Sequence, residues 1–352
     1  MKNIVEKMKT ERQSSSRPNI KKWEFWCDRG GTFTDIIGIN PQGEKIYKKL
    51  LSNNPEHYPD STIEGIRNIL NVAKTERLPT ELIEKIKIGT TIGTNALLEL
   101  KGEPIVLITT EGFKDALRIG YQNRPDLFAL EIRPKKILFK QTIEVDERTN
   151  SDGKVIKGID INVLAQELKT VQKEGISSAA VVFMHSYLNP LNELLVEKIA
   201  KNAGFKHISL SHKVAKTVRF VSRGETTCVD AYLTPILRNY ISKLSKKLPD
   251  VPIEFMQSHG GLVSAHLFSG KNSVLSGPAG GVVGTARTAG NNNKKNVIGF
   301  DMGGTSTDVC HYAGQYERRF ENEVNGVKLN IPMMAIETVA AGGGSIVDFD
   351  GV

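Results

Sequence analysis

Apolar residues in this chain fall into short runs separated by Gly/Thr-rich turns, and the runs alternate between two periods. Phe25-Trp26-Cys27 and Ile36-Ile37 flank one glycine turn, and Val297-Ile298-Gly299-Phe300 and Val309-Cys310 flank another, so each place predicts strand, tight turn, strand. Between them, residues 82–88 predict a strand that runs through Gly89-Thr90-Thr91 into a helix start at Ala96-Leu97-Leu98-Glu99. Residues 104–109 predict a further strand, followed by a helix over about 112–119. Residues 163–174 carry apolar positions at helical spacing and lead into an apolar strand at 178–184. A last strand at 253–256 reaches the Gly260-Gly261 turn, and Ser276–Gly284 precedes the second hairpin. Strands alternating with helices predict an α/β fold. Asn291-Asn292-Asn293-Lys294-Lys295 predicts a polar surface loop.

The two hairpins share one skeleton: Asp28-Arg-Gly-Gly-Thr-Phe-Thr-Asp35 and Asp301-Met-Gly-Gly-Thr-Ser-Thr-Asp308. Each runs on to a further turn, at Asn40-Pro41-Gln42-Gly43 and Ala313-Gly314-Gln315, and then to a charged third strand. A repeat of about 25 residues at two distant places indicates a duplicated subdomain rather than a solenoid. Paired glycines let backbone N–H groups converge on an anion, the threonines Thr32 and Thr305 add hydroxyl donors, and Asp28 and Asp301 are suited to a hydrated Mg²⁺. Two such hairpins facing each other would clamp a polyphosphate from both sides. Asp35 and Asp308 are expected to be structural, closing their own hairpins. This layout resembles the actin-like ATPase (ribonuclease H-like) superfamily, in which two hairpins supply the phosphate loops of one nucleotide cleft.

Composition is that of an ordinary globular protein, with 39% apolar and 24% charged residues. The net charge of +8 is concentrated at the start, because residues 1–22 hold seven Lys/Arg against two Glu and leave +3 for the rest. That segment is expected to be a disordered basic tail, and no basic stripe with interleaved aromatics points to nucleic acid. No apolar run approaches the ~18 residues of a membrane span. Cys27, Cys228 and Cys310 lack metal-site or disulfide spacing and suit reduced thiols in the cytosol.

Longer motifs carry a more specific resemblance. Asp28–Asp35, Gly89-Thr-Thr-Ile-Gly-Thr-Asn-Ala-Leu-Leu-Glu99, Gly120-Tyr-Gln-Asn-Arg-Pro-Asp-Leu-Phe128, Met184-His-Ser-Tyr187, Asp230-Ala-Tyr-Leu-Thr-Pro235, Ser276–Gly284, Gly299–Asp308 and Val339-Ala-Ala-Gly-Gly-Gly-Ser345 occur in order. Together they resemble the hydantoinase A/5-oxoprolinase family, with Asp230 similar to its eukaryotic oxoprolinase branch. His259, in Gln257-Ser-His-Gly-Gly261, stands where the family usually carries Asn or Asp; it bears on substrate preference or is merely tolerated beside its glycine turn.

The resemblance implies ATP- and Mg²⁺-dependent opening of a cyclic amide, 5-oxo-L-proline to L-glutamate, in glutathione metabolism. A hydantoin-opening enzyme, an acetone-type carboxylase subunit, a kinase of the same superfamily and a non-catalytic nucleotide-binding fragment are the alternatives. It implies Asp28 and Asp301 as catalytic and metal-positioning carboxylates, and Gly30, Gly31, Thr32, Gly303, Gly304 and Thr305 as phosphate-binding residues. Gly342, Gly343 and Gly344 approach the nucleotide or form a hinge; Thr90, Thr91 and Asn95 bind a substrate anion or cap a helix; Arg124 pairs with a substrate carboxylate or lies on the surface. Arg219, Arg223, Thr226 and Thr227 form a further polar cluster, with the arginines expected to be solvated. The expected organisation is a tail (1–22), an N-terminal domain with the first phosphate loop (23–213), and the start of a second domain with the second loop (214–352), its duplicated half truncated. The activity is expected to need a hydantoinase B-like region, in cis or in trans, within a homo-oligomer of the full-length form.

Overall fold

The computed structural model describes residues 22–122, 128, 136–304 and 306–349. The basic tail, Arg124 and Thr305 lie outside the described residues.

The first region runs β1 (Trp23–Arg29), β2 (Phe33–Ile39), β3 (Lys45–Leu51), α1 (Ser61–Leu70), β4 (Ile83–Thr90) and α2 (Ile92–Leu98). β5 (Ile105–Thr110), α3 (Ala116–Ile119), β6 (Phe139–Val145), the short pair β7 (Arg148–Thr149) and β8 (Val155–Lys157), α4 (Ile161–Lys173), β9 (Ser178–Val182), α5 (Leu191–Asn202), β10 (His207–Leu210) and α6 (Ser211–Val214) follow. Then come α7 (Phe220–Lys247), β11 (Ile253–Met256), β12 (Leu262–Ser264), α8 (Ser276–Asn291), β13 (Asn296–Met302), β14 (Thr307–Ala313), β15 (Arg318–Val324), β16 (Val327–Met334) and β17 (Glu337–Val339).

A six-stranded sheet, ordered β12-β11-β4-β1-β2-β3, and a four-stranded parallel sheet, ordered β10-β9-β5-β6, form the body. The six-stranded sheet draws strands from both sides of residue 213. α7 joins the two sheets: Leu237, Ile241 and Leu244 pack with Phe25, Ile86 and Phe255 of the six-stranded sheet, while Val229 and Leu233 pack with Ile105 and Ala180 of the other. α1 covers the face of the first hairpin because Ile63, Ile66 and Ile69 share one side of the helix against Phe25, Cys27 and Ile36. Its ends are fixed by the Asp60 carboxylate, which accepts from Ile63 N–H at 3.0 Å, and by Asn71 in the left-handed region.

The duplication is visible in the register. β1 pairs with β2 so that Asp28 opposes Asp35, and β13 pairs with β14 so that Asp301 opposes Asp308. Both turns close through the same bond, Gly30 N–H to Phe33 C=O at 3.0 Å and Gly303 N–H to Ser306 C=O at 2.8 Å.

The copies differ in two ways. The charged strand expected to join the second hairpin, β15, instead pairs with β16 in a separate arm, and β17 takes the third position beside β14. The arm reaches the first region: Val327, Leu329, Ile331 and Met333 pack with Leu97, Leu117 and Val229, and Asn325 donates to the carbonyls of Leu97 and Leu98 at the end of α2. The second difference is burial. Phe25 and Cys27 are 0% and 4% exposed, whereas their counterparts Ile298 and Phe300 are 70% and 66% exposed.

Candidate active site

The first glycine turn is held from beneath by hydroxyls. Ser52 Oγ donates to Gly30 C=O at 2.7 Å, Ser52 N–H donates to Thr32 C=O at 2.8 Å, and Thr34 Oγ1 lies 2.9 Å from Ser52 Oγ and 2.8 Å from Ser61 Oγ. Thr34, Ser52 and Ser61 are buried, so the loop's backbone is fixed by groups that have no competing water. Gly30, Gly31 and Thr32 are left at the surface.

Asp28 ends β1 on the cleft side. β4 lies parallel beside it with Gly89 opposite, and a Cβ on Gly89 would come within 3.3 Å of the Asp28 carboxylate and 3.9 Å of Gly277 Cα. Gly277 belongs to the first turn of α8, whose Ser276 Oγ donates to Thr90 C=O at 2.8 Å. The Ser276–Gly284 motif, expected only to precede the second hairpin, therefore opens a helix against the first. The Asp28 carboxyl is open to the cleft but ringed by protein on its other sides. Its pKa is raised, first by burial, then by the charges of Asp35 and Asp301.

The second loop is lined by the glycine triplet. Gly343 N–H donates to Gly303 C=O and Gly344 N–H to Gly304 C=O, both at 2.9 Å, and Thr307 Oγ1 donates to Ala341 C=O at 2.6 Å. A Cβ on Gly344 would lie 3.1 Å from the Gly304 carbonyl, which explains a glycine where two loop backbones run side by side.

The remaining expected residues divide. Thr91 and Asn95 are half-buried against the first loop: Thr91 N–H donates to Arg29 C=O at 3.0 Å, and Asn95 Nδ2 would touch a Cβ on Gly31 at 3.2 Å. Thr90 is fully buried and its hydroxyl accepts from Ile92 N–H at 3.2 Å, at the start of α2, which suits the second of its two readings. Asp35 pairs with Lys49 of β3 at 2.8 Å, and Asp308 accepts from Thr338 Oγ1 of β17 at 2.7 Å, so both brace their hairpins through the neighbouring strand. His259 is bound within its own loop. Nδ1 accepts from Gly261 N–H at 3.3 Å, which leaves the proton on Nε2, 2.9 Å from Gln257 Oε1.

Arg219 meets Glu321 at the surface, but Arg223 is a correction: it is 0% exposed. Its guanidinium donates to the carbonyls of Phe183 and Thr217, each at 2.7 Å, and to Ser211 Oγ at 3.1 Å. Ser211 Oγ donates to the buried Glu193 at 2.6 Å, which also takes His212 Nδ1 at 2.5 Å. This network ties β9, α5, α6 and α7 at the C-terminal ends of the parallel strands. Sequence reasoning missed Ser52, Ser61, Gly89 and Gly277 at the site, because single hydroxyls and glycines signal nothing without their partners.

Among the described residues no cluster of three or more His, Cys, Asp or Glu side chains is arranged to hold a metal. The oxygen donors of Asp28 and Asp301 suit a hard cation that keeps its water and takes phosphate oxygens as further ligands.

Gly89→Val tests the packing around Asp28. The added methyls displace its carboxylate, so affinity for a magnesium polyphosphate at this loop is expected to fall by about tenfold or more while the melting temperature changes little. Equilibrium titration beside a thermal melt reads both.

Residues 24–204 match the family model described as Hydantoinase/oxoprolinase N-terminal region, and residues 223–352 match that described as Hydantoinase/oxoprolinase. The chain is 46% identical to 5-oxoprolinase 1 of Arabidopsis thaliana, covering 93% of this chain and 28% of that protein. It is 44% identical to 5-oxoprolinase of Dictyostelium discoideum, covering 92% and 30%. The chain thus spans less than a third of these relatives. Among solved structures, ATP-dependent caprolactamase from Pseudomonas jessenii superposes with a TM-score of 0.78 at 27% identity, over 93% of this chain and 49% of that one. Nucleotide-free acetone carboxylase superposes with a TM-score of 0.76 at 22% identity, over 93% and 49%, and shares the fold.

Proposed function

This chain belongs to the hydantoinase/oxoprolinase family, and from that premise we propose that it is the ATP-binding, substrate-activating part of a 5-oxo-L-proline hydrolase. The observation that supports the reading is the pair of glycine-turn hairpins in identical register, with the charge of Asp301 among the causes that raise the Asp28 pKa.

An amide carbonyl is a poor electrophile because nitrogen donates into it. Transfer of the ATP γ-phosphoryl group to the amide oxygen breaks the bond to ADP and places positive charge on the amide. Water then adds at the ring carbon and the C–N bond opens, the nitrogen taking a proton, to leave a γ-glutamyl phosphate; a second water cleaves that acyl phosphate to L-glutamate and phosphate. Phosphoryl transfer depends mainly on positioning and charge neutralisation. Backbone N–H groups of Gly31 and Gly304 are assigned as the donors, while Gly30 and Gly303 close the turns that present them and the Gly342–Gly344 loop holds the second hairpin in place. Mg²⁺, when bound, would neutralise phosphate charge between Asp28 and Asp301. Thr32 and Thr305 are assigned to phosphate oxygens, and Thr91, Asn95 and Arg124 to the substrate anion. The hydrolytic step is assigned to a hydantoinase B-like region in cis or in trans, within a homo-oligomer in the cytosol.

The test is phosphate release from Mg·ATP by the chain together with a hydantoinase B-like partner. Separate arms contain 5-oxo-L-proline, hydantoin and caprolactam. Stimulation by 5-oxo-L-proline above the other two is expected. Stimulation by hydantoin or caprolactam alone would reassign the substrate, and no stimulation by any of them would remove the cyclic-amide reading.

A further inference from the structure

At the end of α1 away from the first glycine turn, the last turn of that helix, the loop that follows it and the end of α7 enclose an open groove of about 510 Å³. Five cations line it, Arg67, Lys74, Arg77, Lys246 and Lys247, against one carboxylate, Glu76. The resulting local charge of +4 exceeds the +3 that residues 23–352 carry in total. Among the described residues, none of the five forms an ion pair with a carboxylate.

Lysines at a helix C-terminus are ordinarily explained by the helix dipole, and Lys246 and Lys247 sit in the last turn of α7. That account does not cover Lys74 and Arg77, which come from the loop after α1. Arg67, in the last turn of α1, suits that helix end as well, and its Nη1 donates to the carbonyls of Ala73 and Glu76, which fixes the guanidinium at the groove wall. Lys74 Nζ is anchored to His57 C=O at 2.9 Å. Like charges gathered from two separate elements repel one another unless an anion lies between them.

We propose that this groove is a binding site for a small, multiply charged phosphate-type anion, separate from the nucleotide cleft. α1 connects the two places. Its first residue, Ser61, bonds Thr34 beneath the first phosphate loop, and its last turn presents Arg67 to the groove, roughly 15 Å away for a ten-residue helix. An anion bound there acts on the same helix that supports the loop gripping ATP.

Isothermal titration with tripolyphosphate, in the presence of a saturating non-hydrolysable Mg·ATP analogue that fills the proposed nucleotide site, tests the proposal, comparing the wild type with Arg77→Ala/Lys246→Ala/Lys247→Ala and with Arg77→Ala alone. These are surface positions, and a thermal melt confirms that each variant is folded. The triple substitution is expected to weaken binding by at least about tenfold and flatten its dependence on salt, with an intermediate loss for Arg77→Ala. Equal binding by the wild type and the triple variant would place the anion elsewhere, and no wild-type binding at low salt would mean that the cations serve only the helix ends. Either result overturns the proposal.

Discussion

Asp301→Asn is expected to lower ATP turnover by roughly 10²–10³-fold, with Asp28→Asn giving a loss of similar size and the double variant little more. The reason is geometric. Each aspartate ends a strand at the mouth of a glycine turn, and the two are close enough for the charge of one to raise the pKa of the other. Removing either takes away one of the two carboxylates that would hold Mg²⁺, the cation that would neutralise the phosphate charge. Stability should respond in the opposite sense for Asp28. Its folded pKa lies above the ordinary Asp value, so the folded state resists ionisation, and stability falls as pH rises through that folded pKa. Asp28→Asn removes the ionisation, so the variant should melt no lower than wild type at neutral pH and show a flatter dependence on pH. Phosphate-release kinetics together with melts across pH 3–8 would check both halves; a variant that loses activity only because it unfolds would contradict the assignment.

Arg223→Ala is expected to cost about 3–5 kcal/mol of stability, because it leaves the buried Glu193 charge without its neighbouring cation and strips partners from two carbonyls. Arg223→Lys should recover only a small part. One ammonium cannot reproduce a planar fork that reaches Phe183, Thr217 and Ser211 together. Urea unfolding of the three proteins measures the difference, and a loss below about 1 kcal/mol for Arg223→Ala would show that the network is not a structural joint.

The parts of this fold legible in the sequence are those whose signal is local. Two Gly-Gly turns between apolar runs give both hairpins, and the strands at 83–90, 105–110, 178–182 and 253–256 follow from short apolar runs beside turn residues. The long α7 helix was not legible. It carries Pro235 in its interior and buries Arg223, Glu225, Thr226, Thr227 and Asp230, so its polarity conceals a helix packed on both sides by sheets. α8 was hidden for the opposite reason, since Ser276-Gly-Pro-Ala-Gly-Gly is a poor helix former held in place by packing of Ala279 and Val282 against Cys310 and Met334. The second hairpin's third strand was misplaced because charge marks a strand as exposed without saying which strand it pairs with. At the site, Asp28, Asp301 and the glycines were legible from the repeat. Thr90 was not separable from Thr91, since facing the core or the cleft depends on where α2 begins.

If the two hairpins make one nucleotide site, nucleotide binds once per chain and needs both loops. Equilibrium titration of the chain with a non-hydrolysable Mg·ATP analogue tests it directly, repeated with Gly31→Val in the first loop and Gly304→Val in the second. One nucleotide bound per chain, with binding lost in each variant, is the predicted result. Two nucleotides per chain, or binding that survives intact when either loop is altered, would contradict it.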